Sequence, residues 1–413
     1  MTDTDRQVLR DLAKHIAEIA ATEEQQSRPE RWRAQNALER QRPLVYCSPE
    51  GSWIELVPED TLVCENDDAR GIERAFRYRI YAAEHFDDDQ VCDNVFRVGY
   101  AVHNTGWGVG PEYVRPAEAR GAYVWDPPIK TMDDIAKIRL PEASHDAEAS
   151  QRNLAFYEEL FGDILEVKPH GSFWWALGLI DEWTFLRGIE QTYWDMTDNP
   201  DLLRVGMQRL MEGKLAWLDQ LEALGVLSLN NQNDYVGSGG FGYTDQLPQP
   251  DFTGSVRLKD MWGFCEAQTM SEVSPAMHDE FVLTYQIPIL ERFGLNCYGC
   301  CEPLHLKLDM LRAKVPRMRR ISISPWADKR TSAQKLGGAV IFSWKPNPAL
   351  LAGVEFDGGW VRQDIRETVD IAREHGCVLE IIVKDTHTCN HQPWRFDEWC
   401  RIAMEEAKRG WDA

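Results

Sequence analysis

Leu295-Asn296-Cys297-Tyr298-Gly299-Cys300-Cys301-Glu302, then a helical stretch over residues 304–313, then Arg320-Ile321-Ser322-Ile323-Ser324, carries the pattern that decides the fold. A short apolar run ends in small and reactive residues, and a helix returns the chain to a second apolar run. Such a unit sets two strands side by side and parallel. The unit recurs on both sides. Upstream lie a strand over residues 164–167, a helix over 181–196 and a helix opened by Asn199-Pro200. That last helix buries Leu203, Met207, Leu210, Leu215, Leu218 and Leu221 and stops at Gly225. A strand over 226–229 and a long helix from Ser274-Pro275 to about Arg292 follow. Downstream lie strands over 339–343 and 378–383, with helices over 361–374 and 395–408. This alternation predicts an α/β fold, a (β/α)8 TIM barrel with an N-terminal helical extension. The rival is a doubly wound sheet, but no Gly-x-Gly-x-x-Gly follows a strand. Gly237-Ser238-Gly239-Gly240 lacks that spacing and reads as a flexible turn over the pocket.

Residues 1–41 read as helical, with Val8, Leu9, Leu12, Ile16 and Ile19 at helical spacing, and a strand follows at Leu44-Val45-Tyr46. The expected division is an extension over residues 1–42 and a barrel over 43–413. Within the barrel, residues 49–121 form an elaborated first part holding a helix near residues 70–86. A net charge of −22 repels a phosphate backbone and argues against a nucleic-acid partner. No apolar run is long enough to span a bilayer, and the first thirty residues are too polar for a secretory signal. With ten cysteines and no such signal, the expectation is a reducing, cytoplasmic setting without structural disulfides.

Groups just past the strand ends of a barrel converge on one mouth. Here those positions include His170, Asn233, Asp234, Cys297, Cys300, Cys301, Glu302, Asp328, Lys345, Asp385, His387, Cys389 and His391. Alternate residues of an extended chain share a side, so His387, Cys389 and His391 can face one point. Imidazole and thiolate suit zinc, with Cys297, Cys300 or Cys301 completing the set. The alternative is a structural role for these cysteines, or Cys300 or Cys301 as a nucleophile beside a histidine. Asp234 and His170 are candidates for proton transfer or substrate contact, against the reading of turn cap and loop histidine. Asn233, Glu302 and Lys345 are candidate substrate contacts, with Trp174, Trp175 and Trp344 as walls.

The run Trp125-Asp126-Pro127-Pro128-Ile129-Lys130-Thr131-Met132-Asp133-Asp134, closing at Leu140-Pro141, resembles the opening segment of uroporphyrinogen decarboxylase-like proteins. Leu186-Arg187-Gly188 with Asp195-Met196 and Asn199-Pro200 resembles the next block, and Ser274-Pro275 leading to Tyr285, Ile289 and Gly294 a third. The resemblance spans roughly residues 120–410 and implies a barrel. One branch of the superfamily decarboxylates porphyrinogens without a cofactor, through an arginine-rich N-terminal stretch that residues 43–51 lack. The other holds zinc methyltransferases that exchange methyl groups with a corrinoid. Those carry His-x-Cys-Gly after the sixth strand and a Cys after the last. Here Asn296-Cys297-Tyr298-Gly299-Cys300-Cys301 lacks the His and displaces the cysteines, whereas Cys389 matches in position. The resemblance thus implies a zinc-dependent methyltransferase acting on a small methylated substrate or thiol, with a corrinoid (cobalamin), free or on a corrinoid protein, as co-substrate, and a homodimer. The rivals are a metal-free decarboxylase or lyase using Asp234, and a non-catalytic corrinoid- or ligand-binding barrel.

Overall fold

The computed structural model describes residues 1–114 and 124–410. Positions 115–123, at the end of the elaborated first part, and the last three of the expected 43–413 domain lie outside the described residues.

Eight strands position the chemistry: β1 (Leu44–Cys47), β2 (Val95–Gly99), β3 (Glu166–His170), β4 (Trp262–Cys265), β5 (Leu295–Tyr298), β6 (Met318–Ile323), β7 (Ile341–Trp344) and β8 (Leu379–Val383). Six of them form one parallel sheet in the order β1-β8-β7-β6-β5-β4. β2 and β3 form a separate parallel pair, in register from Val95 opposite Glu166 to Gly99 opposite His170. β1, β4, β5, β7 and β8 are buried along their whole length. Near-continuous apolar runs of this kind are what a parallel sheet covered on both faces requires. Because the pairing is parallel, the C-terminal ends of these strands open on one rim.

The expected strand over residues 226–229 is not part of a ladder. The Ser228 N–H donates to the Gly171 carbonyl at 3.3 Å, and the Gly171 N–H turns to the Ser228 hydroxyl at 2.9 Å instead of a backbone partner. A Cβ on Gly171 would stand 1.6 Å from the Val226 carbonyl oxygen, so only glycine permits this approach. Gly171→Ala is expected to cost about 1–3 kcal/mol by overpacking against backbone. Urea unfolding of that variant, compared with the parent, checks it.

The N-terminal segment is two helices, α1 (Asp3–Ala20) and α2 (Glu23–Asn36), because Thr22 caps the second by accepting the Gln25 N–H. α1 lays Leu9, Ala13 and Ile16 against Phe76 and Ile80 of α3 (Asp67–His85) and against Leu160 and Phe161. α2 reaches the sheet: Trp32 packs with Leu44, Tyr46 and Phe241, and the Asn36 amide donates to the Phe241 and Tyr243 carbonyls. The helix α4 (Pro200–Leu224) has proline in its first turn and ends at left-handed Gly225, as read from sequence. Asn199 does not cap it through its side chain, which turns to Asp195 instead. The helical run opened by Ser274 and Pro275 contains a π-helical turn at Asp279–Leu283, just before Pro288, whose nitrogen carries no proton to donate. Among the described residues no helix is long and apolar enough to cross a membrane.

Candidate active site

The end of β5 turns through Gly299, at φ 85°, into the cysteine pair. Glu302 holds that turn from beneath. Its buried carboxylate accepts the Cys300 N–H at 2.8 Å and the Ala267 N–H at 2.9 Å, which ties the end of β5 to that of β4. The Cys300 carbonyl accepts the Ser322 hydroxyl of β6 at 2.8 Å. With its backbone N–H and carbonyl both held, the Cys300 sulfur meets the Cys301 sulfur at 3.4 Å, the Ser238 hydroxyl at 3.3 Å and the Lys384 ammonium at 3.7 Å. Cys301 donates its thiol to Asp385 at 3.5 Å. Lys384 also donates to Asp385 at 3.0 Å, and the Asp385 N–H donates to Glu50, beyond the end of β1, at 2.9 Å.

The electrostatics of the pair are asymmetric. The Cys301 thiol bonded to it, the Lys384 cation and the Ser238 hydroxyl lower the Cys300 pKa below that of an ordinary cysteine, against the opposing effect of burial. The same bond, with burial and Asp385, raises that of Cys301. The Lys384 ammonium thus favours the thiolate form at Cys300, while the Cys301 thiol, set against Asp385, favours its protonated form. Lys345, past the end of β7, is 3% exposed and pushed down to about 7 by burial; its amine donates to the Ser343 carbonyl at 3.1 Å.

A second group lies at the end of β3. His170 and Asp234 approach to 3.9 Å, and Arg97 of β2 stands 3.9 Å from the same carboxylate. Burial lowers the pKa of His170 and raises that of Asp234, so each leans towards its neutral form. They line a cavity of about 1040 Å³ together with Asn233 and Tyr243. The Asn233 amide nitrogen donates to the Val91 carbonyl, while its oxygen is buried without a hydrogen-bond partner. A chamber of about 260 Å³, walled by Trp174, Trp175, Tyr235, Trp262 and Phe264, shares Arg97, His170 and Asp234 with that cavity. The segment from Asn233 to Ser238 joins the two groups, since Asp234 lines the cavity and Ser238 bonds Cys300.

The structure gathers some of the expected residues and separates others. Cys300 and Cys301 form one group, and His170, Asn233, Asp234, Trp174 and Trp175 another. Cys389 is bonded elsewhere: its thiol donates to Glu55 at 3.0 Å, and burial with that carboxylate pushes it up to about 11. Cys297 points into the sheet interior, where the Arg320 guanidinium donates to it at 3.8 Å. The exposed His387 ring lies against Gly51. Zinc does not fit the five expected donors. Cys389 and Cys297 are each bonded to a different charged group, and at Cys300 a lysine ammonium supplies the positive charge a metal would bring. Among the described residues no three His, Cys, Asp or Glu side chains are arranged to hold a metal ion. Two expected substrate contacts are structural. Glu302 is the loop clamp described above. Trp344 is 1% exposed, in the main core, with the Lys329 ammonium over its ring at 4.8 Å. Asp328 caps the helix Lys329–Leu336. The sequence does not pick out Lys384, Glu50 or Arg97, and offers Ser238 only as part of the glycine-rich turn over the pocket. Lys384 directly follows β8, so the strand-end rule that selected Asp385 also reaches it.

No protein-family model matches the sequence, and no curated protein matches it. Among solved structures the chain is similar to a methyltransferase from Methanosarcina mazei, with a TM-score of 0.50 at 12% identity, over 90% of this chain and 96% of that one. At that identity the likeness is one of fold.

Proposed function

We propose that this chain is a methyltransferase of the uroporphyrinogen decarboxylase-like superfamily that moves a methyl group between a small substrate and a corrinoid second substrate, with Cys300 as the reacting thiolate. In this reading the strands close into a (β/α)8 barrel, with residues 1–42 as its N-terminal extension. The bond between Ser228 and Gly171, and the Asn230 side chain clamped on both backbone groups of Trp262 at 2.8 and 3.1 Å, support closure by linking the β2–β3 pair to β4. The fold likeness to a methyltransferase points the same way.

The observation that carries the reading is the Cys300 sulfur bonded by Lys384, Ser238 and Cys301 at the rim of the sheet. The thiolate attacks the methyl carbon. A sulfur–carbon bond forms, the bond from carbon to its carrier breaks, and the electron pair leaves on the carrier. Where the carrier is a departing heteroatom, the Asp234 carboxyl, whose pKa burial raises, is the group placed to supply its proton, with His170 beside it on the same cavity. In the onward step a lone pair of the acceptor forms a bond to the methyl carbon, the sulfur–carbon bond breaks, and its electron pair returns to Cys300 as thiolate.

The pH dependence of Cys300 alkylation by iodoacetamide tests this reading. The midpoint is expected below that of an ordinary cysteine, near 8.5. Lys384→Met is expected to raise it and to slow alkylation at neutral pH by about tenfold, the effect of roughly one pKa unit. An unchanged midpoint in Lys384→Met overturns the assignment of Cys300. A metal-free lyase is the second reading, favoured by the raised Asp234 carboxyl between His170 and Arg97 on the large cavity. It requires that Asp234→Asn stop turnover and that Cys300→Ser leave it intact.

A further inference from the structure

We propose that Cys300 and Cys301 are a two-electron redox pair that a small hydroperoxide closes to a vicinal disulfide, a reversible modification at the mouth of the sheet. The inference rests on the reading of Cys300 as the reactive thiol and adds to it a second chemistry. Three observations carry it. The two sulfurs stand 3.4 Å apart, in contact before any bond forms; the Cα atoms of adjacent residues lie nearer together than in an ordinary disulfide, so closing the ring twists the peptide between them and leaves a strained bond that is readily reduced. Cys300 is 2% exposed behind Cys301, which is partly exposed, so a small oxidant reaches the thiolate more readily than a bulky disulfide does. Each sulfur also has a partner suited to its step: Lys384 at the Cys300 sulfur, and Asp385 accepting the Cys301 proton.

The Cys300 thiolate attacks one peroxide oxygen and the oxygen–oxygen bond breaks. Hydroxide, or the corresponding alkoxide, leaves and is protonated, so Cys300 becomes a sulfenic acid. Cys301 gives its proton to Asp385 and attacks the Cys300 sulfur. The sulfur–sulfur bond forms, and the hydroxyl departs as water with a proton from the surroundings. In sum, two thiols and one hydroperoxide give one disulfide, water and the reduced peroxide. Cys301 is thus the resolving residue, and its thiol limits over-oxidation of Cys300. The other adjacent thiols, Cys47 and Cys400, interact with one another but are fully buried in the core and have no such access.

The test is peptide mass spectrometry of the intact, folded chain after brief exposure to hydrogen peroxide, followed by blocking of free thiols. Parent protein is expected to yield a peptide carrying residues 300 and 301 that has lost two hydrogens and resists the blocking reagent. A thiol reductant should restore both thiols. Cys301→Ser is expected to give no such loss and to accumulate oxygen on Cys300. Parent peptide that gains oxygen without losing two hydrogens overturns the proposal, as does peroxide-induced bridging to a different cysteine. The readout involves no methyl transfer. A chain that forms the disulfide but never accepts a methyl group defeats the proposed function and leaves the redox pair standing; the converse result does the opposite.

Discussion

Cys300→Ser loses methyl transfer by about a thousandfold or more, the scale expected when an activated nucleophile is removed. A serine hydroxyl accepts the same hydrogen bonds but stays protonated where the thiol ionises, so Lys384 and Ser238 have no anion left to stabilise. The specific control is the other cysteines. Cys297→Ser and Cys389→Ser are expected to retain transfer, because Cys297 faces Arg320 inside the sheet and Cys389 is held protonated against Glu55. The direct measurement is incubation with methylcobalamin and mass analysis of the peptide carrying Cys300, which should gain the mass of one methylene in the parent and nothing in the variant. Methylation at Cys389 in preference to Cys300 would return the centre to the segment around His387 and remove Cys300 from the mechanism. Retention of the parent's thermal unfolding by Cys300→Ser separates lost chemistry from lost fold.

That contrast shows which parts of the site the sequence makes legible. The strand-end rule works on local information, because an apolar run followed by polar residues marks where a strand stops. The pattern reads as strand at β1, β3, β5, β6, β7 and β8, though it starts β3 two residues early, and it picks out Cys300, Cys301, Lys345 and Asp385 on that ground. The rule fails where a reactive residue lies inside a strand rather than beyond it. Cys297 and Trp344 are the third residue of β5 and the last of β7, and both are buried within the sheet's packing. It fails again where the partner is remote. Cys389 and Glu55 are 334 positions apart, and nothing local to either announces that the thiol is already bonded. His387-x-Cys389-x-His391 has the spacing of an extended chain, but Asn390 and His391 take positive φ, so the alternation behind the zinc reading does not hold. The large cavity was only half legible. His170 and Asp234 follow apolar runs, but Arg97 comes from β2, in a stretch whose pattern does not read as barrel.

Removing the carboxylate of Glu380 is expected to cost about 3–5 kcal/mol of folding stability, the penalty for stranding a buried charge. Glu380 of β8 and Arg320 of β6 face each other across β7 with almost no solvent exposure. Their contact is forked, at 2.7 and 3.2 Å. The guanidinium has no route to water. It donates to Asn36 of α2 at 2.8 Å, Trp262 lies 5.7 Å from its centre, and a Cβ on Gly240 would stand 2.9 Å from its central carbon. With Glu380→Ala the arginine keeps a neutral amide and a thiol as partners, which do not balance its charge at this depth. The sequence offers no escape by titration, since arginine holds its proton at any ordinary pH. The double variant Arg320→Met, Glu380→Leu is expected to lose much less than the two single variants combined, because it removes both charges and their desolvation together. Urea unfolding of the parent, both single variants and the double variant gives the coupling directly. A loss below about 1 kcal/mol for Glu380→Ala, the range of an exposed pair, would mean that water reaches the sheet interior. In that case the low dielectric on which the Lys384–Cys300 interaction depends would also be absent, and the two results would fall together.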